Sequence, residues 1–168
     1  SGTVFALSID GEQLKLSHAF ASNDGKNKDG WQPDGLVLPG PPLSGAPYPG
    51  GTNFSGTLYS INTNGTSFRI LHSFSQAKID GSGPGISQTN IDGDMPNHRL
   101  AIANNRLFGV AAQGGTEGAG TIFSINFDGT DFTVLHTFDR LINNTNRDGS
   151  TPKANLVVAG TTLYGTTS

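Results

Sequence analysis

The sequence predicts an all-β protein of three four-stranded repeats, arranged as β-propeller-like blades or, alternatively, as a β-trefoil-like closed threefold. Three observations carry this. The 168 residues include 24 Gly and 9 Pro, so the backbone is densely punctuated by turns. Thr, Ser and Asn are abundant and Glu occurs only twice, which leaves too few helix formers for a helical bundle. The third is internal repetition. Gly2–Gly11 (GTVFALSIDG), Gly56–Gly65 (GTLYSINTNG) and Gly120–Gly129 (GTIFSINFDG) superpose residue by residue.

The chain is expected to be a single repeat domain over 1–168, made of a half unit 1–20, a unit 36–74, a unit 100–138 and a half unit 156–168. In the first half unit, Phe5, Leu7 and Ile9 alternate with polar or small residues, the period-two pattern of a strand buried on one side. Leu14, Leu16, His18 and Phe20 alternate in the run that follows and are expected to share one face, as are Phe132, Val134, His136 and Phe138. Asp10-Gly11, Asn64-Gly65 and Asp128-Gly129 supply the positive φ angles that tight hairpins need. Asp-Gly-x-x-Pro then recurs at Asp29–Pro33, Asp92–Pro96 and Asp148–Pro152.

A further strand is predicted from each of Leu36, Leu100 and Leu156. Another is predicted at Leu107-Phe-Gly109 and Leu163-Tyr-Gly165, with Leu43-Ser-Gly45 as a weaker copy. The proline-rich stretch from Pro39 to Pro49 is expected to bulge or to lie at a sheet edge. Extra sequence between Phe74 and Asp92 lengthens the middle of the chain.

Charge and composition exclude several function classes. Charged residues are 14% of the chain and the formal net charge is −3, which leaves no basic stripe for a nucleic-acid backbone. No apolar run approaches the roughly 18 residues of a membrane span. With no cysteine, disulfides and thiolate zinc sites are impossible. The opening Ser1-Gly2-Thr3-Val4-Phe5 is strand-like, and a processed or trimmed terminus is the expectation there.

The ordered string Gly-Thr-[Val/Ile]-Phe, Asp-Gly, Leu-His-[Ser/Thr]-Phe, Asp-Gly-x-x-Pro, Leu-Val, Leu-Tyr-Gly-Thr-Thr and Gly-Gly resembles the Gloeobacter/Verrucomicrobia (GloVer) tandem-repeat family over nearly the whole chain. The resemblance implies an exported bacterial protein at the cell surface or outside the cell, often held there by a separate sorting segment. It brings no catalytic residues. The first copy departs from the pattern at Leu43-Ser-Gly-Ala-Pro47.

His18, His72 and His136 occupy one repeat position and are read as buried structural imidazoles rather than ligands or bases. His98 stands alone beside Arg99 and is expected at the surface. Asn144, Asn146 and Asp148 are spaced like the start of a calcium loop, and Asp29 and Asp92 hold equivalent places, but the closing bidentate Glu is missing. No cofactor is expected, and calcium at these loops is the alternative. Paired carboxylates for glycoside chemistry would have to be asymmetric aspartates such as Asp80, Asp92 and Asp94, clustered around the insertion. No Gly-x-Ser-x-Gly elbow occurs, and Gly114-Gly115-Thr-Glu-Gly118 precedes a strand, not the helix a phosphate loop needs. No enzyme is expected. Asn53, Asn64 and Asn143 begin Asn-x-Ser/Thr sequons in turns and are candidate glycosylation sites.

Two functions remain. The leading one is a non-enzymatic exported structural repeat protein whose partners are other copies of itself, joined head to tail into a surface assembly or fibre. The alternative is a carbohydrate-binding propeller module, with glycans as partners and Trp31 and Tyr48 as aromatic platforms. Trp31 has no aromatic counterpart, since Asp94 and Ser150 fill its place in the other units, which argues against equivalent sugar sites.

Overall fold

The computed structural model describes residues 2–20, 28–30, 32–33, 35–38, 42–48, 50–83, 85–96, 99–143 and 145–168, and the side chains of 80–83 and 85–87 are not described. Trp31, His98, Asn144 and the Asp80 side chain therefore lie outside the described residues. Every regular element among the described residues is a strand, and no helix is long and apolar enough to cross a membrane.

The first hairpin is β1 (Thr3–Leu7) with β2 (Leu14–Ala19). Next, β3 (Leu36–Val37), β4 (Leu43–Gly45), β5 (Thr57–Ile61) and β6 (Arg69–Ser73) form a four-stranded antiparallel sheet in chain order. The insertion folds as a separate hairpin, β7 (Lys78–Gly83) with β8 (Gly85–Thr89). A third sheet holds β9 (Asp94–Pro96), β10 (Ala101–Ala103), β11 (Arg106–Gln113), β12 (Thr121–Asn126) and β13 (Thr133–Thr137). The chain ends in β14 (Val157–Ala159) paired with β15 (Thr162–Tyr164).

Two expectations need correcting. The third sheet has five strands, not four, because β11 is long enough to pair with β10, with β12 and with β9. Within the Pro39–Pro49 stretch, Leu43–Gly45 is neither bulged nor at an edge: it pairs with β3 on one side and β5 on the other, and the described Pro42 and Pro47 lie outside the paired segment. Among the described residues no barrel or ring closes, and β1–β2 and β14–β15 stand as separate two-stranded sheets.

The sheets pack face to face, and a repeated bulge arranges this. The register slips between Val4 and Phe5, between Leu58 and Tyr59, and between Ile122 and Phe123. A bulge puts two residues opposite one and so switches which face the following side chains occupy. Leu14 to Phe20 and Phe132 to Phe138 therefore do not keep one face, contrary to the simple alternation. In the second sheet, Phe68 and Ile70 pack with Val4 and Phe20 of the first hairpin, whereas Leu71 and Phe74 pack with Phe123 and Ile125 of the third. The third sheet in turn meets β14–β15 through Ala101, Val110, Ile122, Leu156, Val158 and Leu163. Each sheet of the repeat is thus apolar on both faces, and successive repeat sheets meet in seams.

Candidate functional site

The residues that recur are also those that lock each seam. Nε2–H of His18 donates to Oδ2 of Asp29 at 3.1 Å, His72 to Asp92 at 2.9 Å, and His136 to Asp148 at 2.6 Å. Two of these carboxylates, Asp92 and Asp148, also take a backbone donor. Ser75 N–H reaches both oxygens of Asp92 at 3.1 and 3.0 Å, and Asp139 N–H reaches Oδ1 of Asp148 at 3.1 Å. The aspartate thereby ties the end of one unit's last strand to the loop that starts the next. Thr57 and Thr121 complete the tie, each donating its hydroxyl to the carbonyl of the preceding aspartate, Asp29 at 3.2 Å and Asp92 at 3.1 Å.

An asparagine two residues before Asp92, and another before Asp148, shapes the loop. Oδ1 of Asn90 accepts N–H of Gly93 at 2.8 Å and of Gly115 at 2.9 Å, while its Nδ2 donates to the carbonyls of Ser75 and Gly93 at 2.8 and 2.7 Å. Asn146 repeats this with Gly149 and Asp139, its Nδ2 donating at 2.6 and 2.7 Å. Sequence reasoning missed this role, although Asn-x-Asp-Gly recurs at Asn27, Asn90 and Asn146 and would have revealed it. The oxygens of Asn146 and Asp148 considered for calcium face these internal donors.

A ring contact crosses the first two seams. His18 stacks on Phe68 with centroids 3.7 Å apart and planes within 6°, and His72 stacks on Phe132 at 3.8 Å and 4°. The phenylalanine belongs to the next unit each time, so the histidine serves two units at once. In His18 and His72 the imidazole edge, face and nitrogen are each engaged, but the expected burial is not found: both are half-buried, and His136, with no ring stacked on its face, is exposed.

The other candidates are scattered. Asp94 is buried, and burial holds its carboxyl above the usual range although Met95 N–H and the Ser55 hydroxyl bond to it. Asp92 is committed to its seam, so the two described carboxylates of that cluster serve different local bonds. Tyr48 is half-buried, and burial, then the charge of Asp94, raises its phenol. Asn53 donates its amide to the Phe74 carbonyl at 2.9 Å, whereas Asn64 and Asn143 are exposed.

The two ends of the stack expose what the seams bury. Phe5 is 59% exposed, while its equivalents Tyr59 and Phe123 are at 0%. Leu7 is likewise exposed, against fully buried Ile61 and Ile125. At the other end, Leu135, Val157 and Tyr164 are exposed, and the His136 side chain is 46% exposed against 21% for His18 and His72. Gly45 and Gly109 lie beneath Tyr59 and Phe123, where a Cβ would come within 2.8 and 2.5 Å of the ring. At the equivalent Gly165, a Cβ would meet only Leu156 Cδ2, at 3.0 Å.

These features define an all-β protein whose sheets are joined by a repeated His–Asp–Asn loop and a cross-seam ring stack. The family model for the Gloeobacter/Verrucomicrobia repeat matches residues 1–168, and the chain belongs to that family. No curated protein matches it.

Proposed function

We propose that the chain is a non-enzymatic structural repeat protein, exported to the cell surface or beyond, whose propeller-like blades associate head to tail into a surface assembly or fibre. The observation that supports this most is the contrast between Phe5 and Leu7, both exposed, and their fully buried equivalents in the inner units. Side chains of one type at one repeat position are covered wherever a neighbouring unit exists. Contiguous apolar surface and an unpaired strand edge are what an association site looks like. The recurrent histidines and aspartates are occupied in holding sheets together, which favours structure over chemistry. Among the sequons, Asn64 and Asn143 are the positions we assign to a glycan, because both are exposed, whereas Asn53 is half-buried with its amide engaged by the Phe74 carbonyl.

Multi-angle light scattering and negative-stain microscopy across a concentration series test this reading. We expect particles of many chains for the native sequence and a folded monomer for Phe5→Asp, which places a charge on the exposed apolar face. A native chain that stays monomeric throughout overturns the proposal.

A further inference from the structure

The geometry points to one saccharide-binding site on the loop between β4 and β5, with Phe54 as the platform for the sugar's C–H face and Tyr48 as its polar contact. That loop has a close copy between β11 and β12. Phe54 N–H donates to the Gly51 carbonyl at 3.3 Å and Gly56 N–H to the Gly50 carbonyl at 3.0 Å. Gly118 and Gly120 make the same two bonds, to Gly115 at 3.3 Å and Gly114 at 3.0 Å. Gly118 has a φ of +76°, which glycine adopts freely, whereas Phe54 holds +60° in its place. A bulky side chain in the left-handed region is strained, and strain of this kind collects at ligand-binding positions. Core packing does not call for the ring, since Phe54 is 49% exposed and belongs to none of the three apolar clusters among the described residues.

Phe54 is one of four departures gathered at one seam. Between the second and third sheets, Tyr48, Phe54, Ser55 and Asp94 hold the places that Ala112, Gly118, Ala119 and Ser150 hold at the following seam. Each is larger, more polar or both. They also meet in space. The Ser55 hydroxyl bonds to the Asp94 carboxylate, which accepts Met95 N–H at 2.8 Å as well, and the charge of Asp94 reaches the Tyr48 phenol. Function-bearing side chains on a loop whose backbone is reproduced elsewhere with small residues are what a binding site on a rigid scaffold looks like.

The groups select the class of ligand. A pyranose presents an apolar C–H face and a rim of hydroxyls. Phe54 offers a half-exposed ring to the face, and the half-buried Tyr48 offers a phenol that both donates and accepts to the rim. Asp94 is buried and engaged by Met95 and Ser55, so its charge is committed inside the protein and is not open to a cation. A neutral hydroxylated ligand fits this set better than a quaternary ammonium, which wants an aromatic cage. The site uses one chain and does not depend on self-association.

A glycan array of neutral oligosaccharides, followed by calorimetry with the array's strongest binder, tests this on the full chain. One site per chain is expected. Phe54→Gly should weaken binding roughly tenfold or more. It should also raise the melting temperature by about 2–4 °C, because glycine relieves the positive φ. A ring that served packing would give the reverse, a lower melting temperature. Tyr48→Phe, which removes one hydroxyl, should weaken binding roughly three- to tenfold and leave the melting temperature little changed. A native chain that binds no saccharide on the array overturns the proposal, as does a Phe54→Gly chain that binds as tightly as the native one. Competition by choline would assign the ring to a cation and overturn it too.

Discussion

The seam between the second and third sheets and the open outer face of the first hairpin are made from the same repeat positions, yet one is dry and the other wet. Phe123 and Ile125 are fully buried against Leu58, Leu71 and Phe74, whereas Phe5 and Leu7 are more than half exposed. Side-chain type is conserved between the two regions and only the neighbour differs. The contrast shows that an apolar residue in this repeat stabilises the fold through the adjoining sheet rather than through its own hairpin.

The largest effect expected from that contrast comes from truncating equivalent phenylalanines. Phe123→Ala should cost about 3–5 kcal/mol in chemical denaturation, because it opens a cavity in a packed core. Phe5→Ala should change monomer stability by less than about 0.5 kcal/mol, the usual range for exposed positions, while reducing assembly. Equal losses at the two positions in dilute monomer would erase the distinction between seam and open face.

A smaller effect sharpens it. Gly11 and Gly129 have nearly the same backbone, φ of +80° and +84°, so a β-branched residue is strained equally at both. That strain alone is worth about 1–2 kcal/mol. A Cβ on Gly129 would also press on the Leu71 carbonyl oxygen at 3.0 Å and Cα at 3.1 Å, while at Gly11 it would meet nothing within 4 Å. Gly129→Val should therefore lower the denaturation midpoint more than Gly11→Val. The difference between the two measures the seam, because the backbone term cancels.

Much of this was legible in the sequence, and the reasons for the rest are physical. Hairpins at Asp10-Gly11, Asn64-Gly65 and Asp128-Gly129 follow from local turn chemistry, and all three glycines have positive φ. The bulge in each hairpin was not legible, because nothing in a run such as Phe68 to Phe74 marks where two residues face one. Without the bulge, Phe68 and Leu71 cannot be assigned to opposite neighbours. His72 and Asp92 were each singled out, but their pairing joins residues 20 apart in sequence through an inserted hairpin that the sequence pattern did not announce. The strand β9 arises because β11 extends past its partner strand β10, a tertiary outcome with no local signature.

The smallest effect concerns a departure from the repeat inside a seam. Tyr59 takes the place held by Phe5 and Phe123, and its buried hydroxyl has no hydrogen-bond partner. A buried, unpaired hydroxyl loses its water without recompense, so Tyr59→Phe should stabilise the protein by about 1 kcal/mol at neutral pH. Burial also raises the Tyr59 phenol above its ordinary value. A raised folded-state pKa means that the unfolded chain releases its proton first, near pH 10. Between that pH and the folded value the native state binds more protons than the unfolded one, so native stability falls as pH rises. Phenylalanine has no such proton. The advantage of Tyr59→Phe should accordingly stay constant below about pH 9 and widen above about pH 10, as read by urea denaturation at each pH. An advantage that is flat across both ranges would mean that the phenol is solvated, and with it that this seam is less dry than the others.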